Sequence, residues 1–275
     1  MGLTLRALLL LAASATRPRA EEGDEVHVGN FGYIATTGPL NWAALDPAAN
    51  CVCATGTHQS PINLVDGVFT VLKGSDIQLA INDMPKGAEF ENLGTTVEVI
   101  TQGGTLKIAN ETFQLKQFHF HLPSEHLDNG TRYSMEMHMV FQSSSQKTAV
   151  IGVYISIAQG NPTKLLETVF SAVDKIAVPG TKTKTPPLNM SEVVRLLKAN
   201  AFQTYSGSLT TPPCTEGVSW LVSTARLTVS PKTFVKARDV IKFNSRFPQN
   251  TPGEPNILQI ACAGVDGCSS TNPAK

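Results

Sequence analysis

Two features that would point to a macromolecular partner are missing from this 275-residue sequence: an excess of one charge, and any block of like charges. Lys plus Arg number 22 and Asp plus Glu number 22. Without a basic surface to neutralise phosphates, neither nucleic acid nor an anionic membrane is expected as a partner. Also missing is any run approaching the ~20 apolar residues that span a bilayer, so no membrane span is expected. No internal repeat, low-complexity tract or long Pro- and Gly-rich stretch divides the chain, which argues for one continuous domain.

The N-terminus carries the features of a targeting segment. Arg6 supplies a positive start, Ala7 to Ala13 is apolar, and Ala13-Ser14-Ala15 resembles a small-residue cleavage site. A signal peptide over 1–15 is expected, with cleavage as late as residue 20, then a domain over 26–260 and a tail over 261–275. The mature protein is expected to be secreted. Five cysteines, Cys51, Cys53, Cys214, Cys262 and Cys268, suit an oxidising compartment. Five is odd, so one thiol stays free or pairs with another chain, leaving room for a disulfide-linked homodimer. N-x-S/T acceptor sites at Asn110, Asn129 and Asn189 agree with secretion.

Short runs rich in β-branched and aromatic residues dominate: Thr96 to Thr101, Thr105 to Ile108, Gln114 to His121, Met135 to Phe141, Ala149 to Ile157 and Ser219 to Val222. Helical spacing is confined to Thr163 to Ile176, to Glu192 to Ala199 with Ser191 as the cap, and to a segment from Ser230-Pro231 through Phe243. The expectation is a mostly β fold, a large sheet with peripheral helices.

In Gln117-Phe118-His119-Phe120-His121, polar and aromatic residues alternate, which places both histidines on one face of a strand. At a rise of ~3.4 Å per residue their Cα atoms stand roughly 6.8 Å apart, close enough for both rings to lean onto one ion. Ser134 to Val140 repeats the alternation, with three methionines on one side and Glu136, His138 and Val140 on the other. Asp128-Asn129-Gly130 is a turn signal between the two strands, so they are expected to pair antiparallel and bring His138 to the same concavity. A lone strand histidine is usually a hydrogen-bonded core residue. Three on one face, with Glu136 beside the third, are harder to account for that way. Three neutral imidazoles with a fourth position left to water make a catalytic zinc site, and an ion so held keeps its full double charge and favours hydroxide over water.

With Q-F-H-F-H, S-E-H (Ser124 to His126), M-E-M-H-M-V and S-L-T-T-P-P (Ser208 to Pro213) in this order, the chain resembles the α-class carbonic anhydrases. The likeness runs from Phe31-Gly32-Tyr33 through Gln59-Ser60-Pro61-Ile62-Asn63 to Asn244-Ser245-Arg246. It implies a single domain around a twisted, mainly antiparallel sheet, and zinc-dependent reversible hydration of carbon dioxide to bicarbonate and a proton, with weak ester hydrolysis on the side. One Zn²⁺ per chain would be held by His119, His121 and His138. Gln117, Glu136 and the carbonyl of Asn244 match the groups that orient these ligands. Thr210 and Glu125 match a pair in which the carboxylate takes the hydroxyl proton, so that the threonine oxygen orients the attacking oxygen. Val140, Val150, Leu209, Thr211 and Trp220 match the substrate pocket, which a small apolar molecule requires to be hydrophobic. Tyr33, Thr95 and Glu98 match positions along the water network. Cys53 and Cys214 match the bridge of secreted members, and His126 a structural histidine.

One position departs from the family pattern. Rapid members carry a proton-accepting histidine where this chain has Thr95, and a hydroxyl cannot store a proton near neutrality. Turnover is therefore expected to lean on external buffer, and Thr95→His to raise the rate at low buffer; an unchanged rate refutes this. The alternative of a non-catalytic binding protein on the same fold calls for lost ligands, and none is lost here.

Overall fold

A computed structural model describes residues 26–101, 103–158 and 160–263; the expected signal peptide and most of the tail lie outside these. The last helix among the described residues is Ile257–Cys262, which spans residue 260.

The alternation around the histidines governs the centre of the molecule. Glu111–His121 and Met135–Ser143 lie side by side, antiparallel, with His119 directly opposite His138 and His121 opposite Glu136. They are the middle of a 12-stranded sheet that continues through Val97–Ile100, Glu89–Asn92 and Lys182–Lys184 on one side. On the other side follow Thr148–Ile157, Glu216–Ser223, Ala201–Ser208 and Thr70–Lys73. Pairing is mainly antiparallel, as expected, but Thr148–Ile157 runs parallel to both Glu216–Ser223 and Leu227–Val229, which makes the sheet mixed.

Because side chains alternate across a strand, the sheet divides the sequence between two faces. Phe118, Phe120, Met135, Met137 and Met139 enter the main core with Leu165, Leu166, Val169 and Phe170 of the helix Lys164–Phe170. Gln117, His119, His121, Glu136, His138 and Val140 are left for the other face.

The turn at Asp128 to Thr131 forms as the sequence indicates, with Asn129 and Gly130 both at positive φ (46° and 79°) and mutual backbone bonds between Asp128 and Thr131. It does not join the two histidine strands directly. Between them the chain makes an excursion in which Leu127–Asp128 pairs parallel with Asn63–Leu64, and this excursion carries Glu125 and His126.

Three helix boundaries differ from expectation. The segment from Thr163 breaks after Phe170 and resumes as a 3₁₀ turn over Val173–Ile176, because the Ser171 hydroxyl donates to the Thr168 carbonyl at 2.7 Å and tightens the last turn. The apolar residues of both pieces remain buried. Ser191 is the first residue of its helix rather than the cap; its N–H donates to Asn189 Oδ1, so the capping acceptor sits two residues earlier. Pro231–Ile241 starts on Ser230 as expected, whose Oγ accepts from the Thr233 N–H, but stops two residues short of Phe243, where Lys242 takes φ 62°.

Candidate metal centre

His119, His121 and His138 converge: one ring nitrogen from each lies within 4.8 Å of the others. The partner of each opposite nitrogen identifies which one is free. His119 Nδ1 donates to Gln117 Oε1 (2.8 Å), His121 Nδ1 to the Asn244 carbonyl (2.8 Å), and His138 Nε2 to Glu136 Oε1 (2.9 Å). Each of these partners accepts, so these nitrogens carry the protons, and the lone pairs of the neutral rings sit on His119 Nε2, His121 Nε2 and His138 Nδ1. Burial holds the His119 ring well below the usual imidazole range, with help from the neighbouring His121 and His138, and pushes His121 down to about 4. His138 is lowered as well, by burial against the opposing pull of Glu136. Rings that resist protonation suit metal ligation.

The orienting groups are themselves held. Asn244 accepts from the Leu122 N–H through Oδ1 and donates through Nδ2 to the carbonyls of Thr95 and Phe120. Glu136 takes four bonds: the backbone N–H groups of Glu125 and His126 on Oε2, and the rings of His126 and His138 on Oε1. Burial pushes its carboxyl up, but the two imidazoles outweigh that and hold it well below the usual range. His126, fully buried, spends its other nitrogen on the Tyr205 hydroxyl at 2.7 Å.

At the convergence point His121 Nε2 is buried without a partner, and it lies 3.4 Å from Glu125 Oε2, which is also 3.9 Å from His138 Nδ1. A pool of imidazole lone pairs beside a buried carboxylate is the environment a cation completes, so the residues present fit a divalent ion. Glu125 Oε1 accepts from the Arg246 N–H at 2.8 Å. Burial pushes its carboxyl up to about 7, against the opposing influence of His138 and a hydrogen bond from Thr210.

Beside the imidazoles lies a second apolar cluster, separate from the main core. It contains Val150 and Trp220, with Val140 and Leu209 packed on it. Val150 is directly opposite Val140 on one neighbouring strand and Trp220 on the other. The Trp220 ring stands 4.8 Å from the His138 ring, and its indole N–H donates to the Ser208 carbonyl. In front, a cleft of about 470 Å³ is lined by Tyr33, Thr95, Glu98, His119, His121 and Thr211 among others. The Tyr33 hydroxyl is buried with no protein partner, and burial raises Glu98 to about 7.

The loop bearing Thr210 and Thr211 is closed by Leu209 N–H to Thr215 O and Cys214 N–H to Thr211 O. It is tied to the N-terminal region by the Cys53–Cys214 disulfide. Cys262 is also disulfide-bonded, whereas Cys51 is free and exposed. Asn110, Asn129 and Asn189 are all exposed.

Sequence reasoning did not assign a role to Arg246. It is almost fully buried and donates to Gln59 Oε1 and to the carbonyls of Ser60 and Cys53, while its backbone N–H holds Glu125. No local pattern marks it, since its partners lie more than a hundred residues away.

Among the described residues, no helix is long and apolar enough to cross a membrane. Residues 37–252 match the sequence model of the eukaryotic-type carbonic anhydrases. A carbonic anhydrase of Nostoc sp. is 38% identical over 229 residues, 82% of this chain and 83% of that protein. The solved fungal α-carbonic anhydrase of Aspergillus oryzae superposes with TM-score 0.82 at 37% identity, over 86% of this chain and 100% of that one. The α-carbonic anhydrase of Thermovibrio ammonificans, solved with the inhibitor sulfanilamide, gives 0.71 at 31% identity, over 82% and 97%. Architecture, sequence likeness and the three converging imidazoles agree: this chain belongs to the eukaryotic-type, α-class carbonic anhydrases and is an enzyme of that family.

Proposed function

We propose that the chain hydrates carbon dioxide reversibly, with one zinc ion held by His119 Nε2, His121 Nε2 and His138 Nδ1. The observation that carries this reading is the convergence of three lone pairs whose opposite N–H groups are all given to acceptors. Bound there, zinc supplies Lewis-acid activation of a water molecule.

The residues around it do the rest. Val140, Val150, Leu209 and Trp220 give the substrate an apolar wall and keep competing solvent out. Glu125 accepts the Thr210 proton, which leaves the Thr210 oxygen to accept from, and so orient, the attacking oxygen. Gln117, Glu136 and Asn244 fix ring tautomers and aim. Tyr33, Thr95, Glu98 and Thr211 border the wet side, where the product proton leaves.

An activated water will also attack esters, so weak esterase activity is part of the proposal. The disulfide is compatible with an extracellular location. Secretion after removal of residues 1–15, glycans on Asn110, Asn129 and Asn189, and a homodimer bridged through Cys51 complete the reading. Purified protein is expected to hydrate carbon dioxide, to lose at least about 10²-fold on chelation, and to recover on adding zinc. His138→Ala is expected to fall to background without rescue by zinc. Hydration that survives metal removal would overturn the assignment.

A further inference from the structure

Hydration releases one proton per turnover, and this proton must leave the cleft for solvent, past several groups that carry it poorly. The Tyr33 hydroxyl is held well above its usual range by burial, Asp46 is committed to the Ala49 N–H as a helix cap, and Thr95 has only a hydroxyl. Glu98 also lines the cleft, and burial raises its carboxyl to about 7, but it is only partly exposed and sits on the strand directly opposite His119, so a proton taken there must still be handed on to reach solvent.

Of the six histidines, three are the candidate ligands, and His126 is buried with both nitrogens bonded. His58 is exposed and engages Thr57 Oγ1 through Nδ1, and it does not line the cleft. The sixth, His27, is exposed yet lines the same cleft as His119 and His121.

Its position is fixed by the segment that carries it. Val26, one residue before, is buried, and the Gly29 N–H donates to the Leu93 carbonyl at 3.2 Å. A side chain on Gly29 would begin 3.1 Å from Thr95 Cγ2, and one on Gly94 would begin 3.0 Å from Val28 Cγ1. The segment therefore lies against the Leu93 to Thr95 turn, at the residue where the expected acceptor is missing.

We propose that His27 carries the product proton from the cleft to solvent. This rests on the hydration activity proposed above. The neutral ring accepts a proton from cleft water, becomes imidazolium, and returns to neutral by giving that proton to a buffer base; no other bond changes. Imidazole is the side chain suited to loading and unloading near neutrality. The site is thus supplied from the N-terminal segment rather than from the sheet.

Two measurements on the full mature chain decide it. With cobalt(II) in place of zinc, the His27 ring proton resonances are expected to broaden strongly while those of His58 stay sharp; equal sharpness would place His27 away from the ion and overturn the proposal. In hydration assays, His27→Ala is expected to lose about 10²-fold at low buffer, the low end of what a positioned acid–base group contributes. Imidazole or concentrated buffer should restore it, and His58→Ala should match wild type. A wild type inert at every buffer concentration sinks the parent reading. An active wild type that loses nothing on His27→Ala sinks this one.

Discussion

Glu136→Ala is expected to cost the metal-free fold about 3–5 kcal/mol, the range for stripping one partner from a buried charged network. Truncation orphans the backbone N–H groups of Glu125 and His126 and the ring N–H groups of His126 and His138 at once. All of these belong to residues no more than 1% exposed, so water does not replace the lost acceptor. Urea denaturation reads the loss; a change under about 1 kcal/mol would mean that the loop stands without its carboxylate. Where the variant still folds, metal affinity is expected to drop about 10–100-fold, because His138 loses the group that aims it. The pH dependence has a definite sign. A carboxyl held below its usual value of 4.5 binds fewer protons folded than unfolded, so its stabilisation is present above that pH and is lost as pH falls further. Glu136→Gln should flatten that acid limb.

Glu125→Gln is expected to lower hydration about 10²–10³-fold, the size of effect seen when one fixed polar group facing the reacting atoms is removed. Since the Arg246 N–H must still be accepted by an oxygen, the new amide nitrogen takes the other position and donates where the carboxylate accepted from Thr210. The threonine hydroxyl then turns its proton toward the reacting oxygen. Metal content should stay at one ion per chain, which separates this loss from loss of the site. In the metal-free protein the linkage is opposite in sign to that of Glu136. A carboxyl raised to about 7 binds more protons folded than unfolded, so stability falls as pH rises from 4.5 through 7. The glutamine variant should lose this decline. A divalent ion beside Oε2 should suppress it in the wild type, because a nearby cation favours the ionised form. A glutamine variant with full activity would remove Glu125 from the mechanism.

Much of this site is legible in the sequence because a strand displays its residues at a period of two. Once Gln117 to His121 and Met135 to Val140 are read as facing strands, the division between Phe118, Phe120 and the methionines on one side and the imidazoles on the other follows. The opposition of Val140, Val150 and Trp220 is a matter of register between adjacent strands, and their membership of one pocket was available only through family likeness. What escaped is contact made across the chain without a local signature. Arg246 reaches Gln59 and Cys53, and His27 is brought to the cleft by one backbone bond and a buried valine. Helix limits slipped where a polar side chain competed with the backbone, at Ser171 and Asn189. Propensity treats such residues as averages, whereas the outcome depends on which carbonyl or N–H happens to be in reach.

The clamp at Asn244 has a consequence for biogenesis. Its backbone oxygen aims His121 and its side chain ties down Leu122, Phe120 and Thr95, yet it is made more than a hundred positions after the histidine it serves. A nascent chain that has already synthesised all three imidazoles still lacks the group that settles the tautomer of the second. The site is therefore completed late, when the C-terminal segment has folded back, and a product truncated before residue 244 is expected to keep the acceptors of His119 and His138 but to leave His121 without its own.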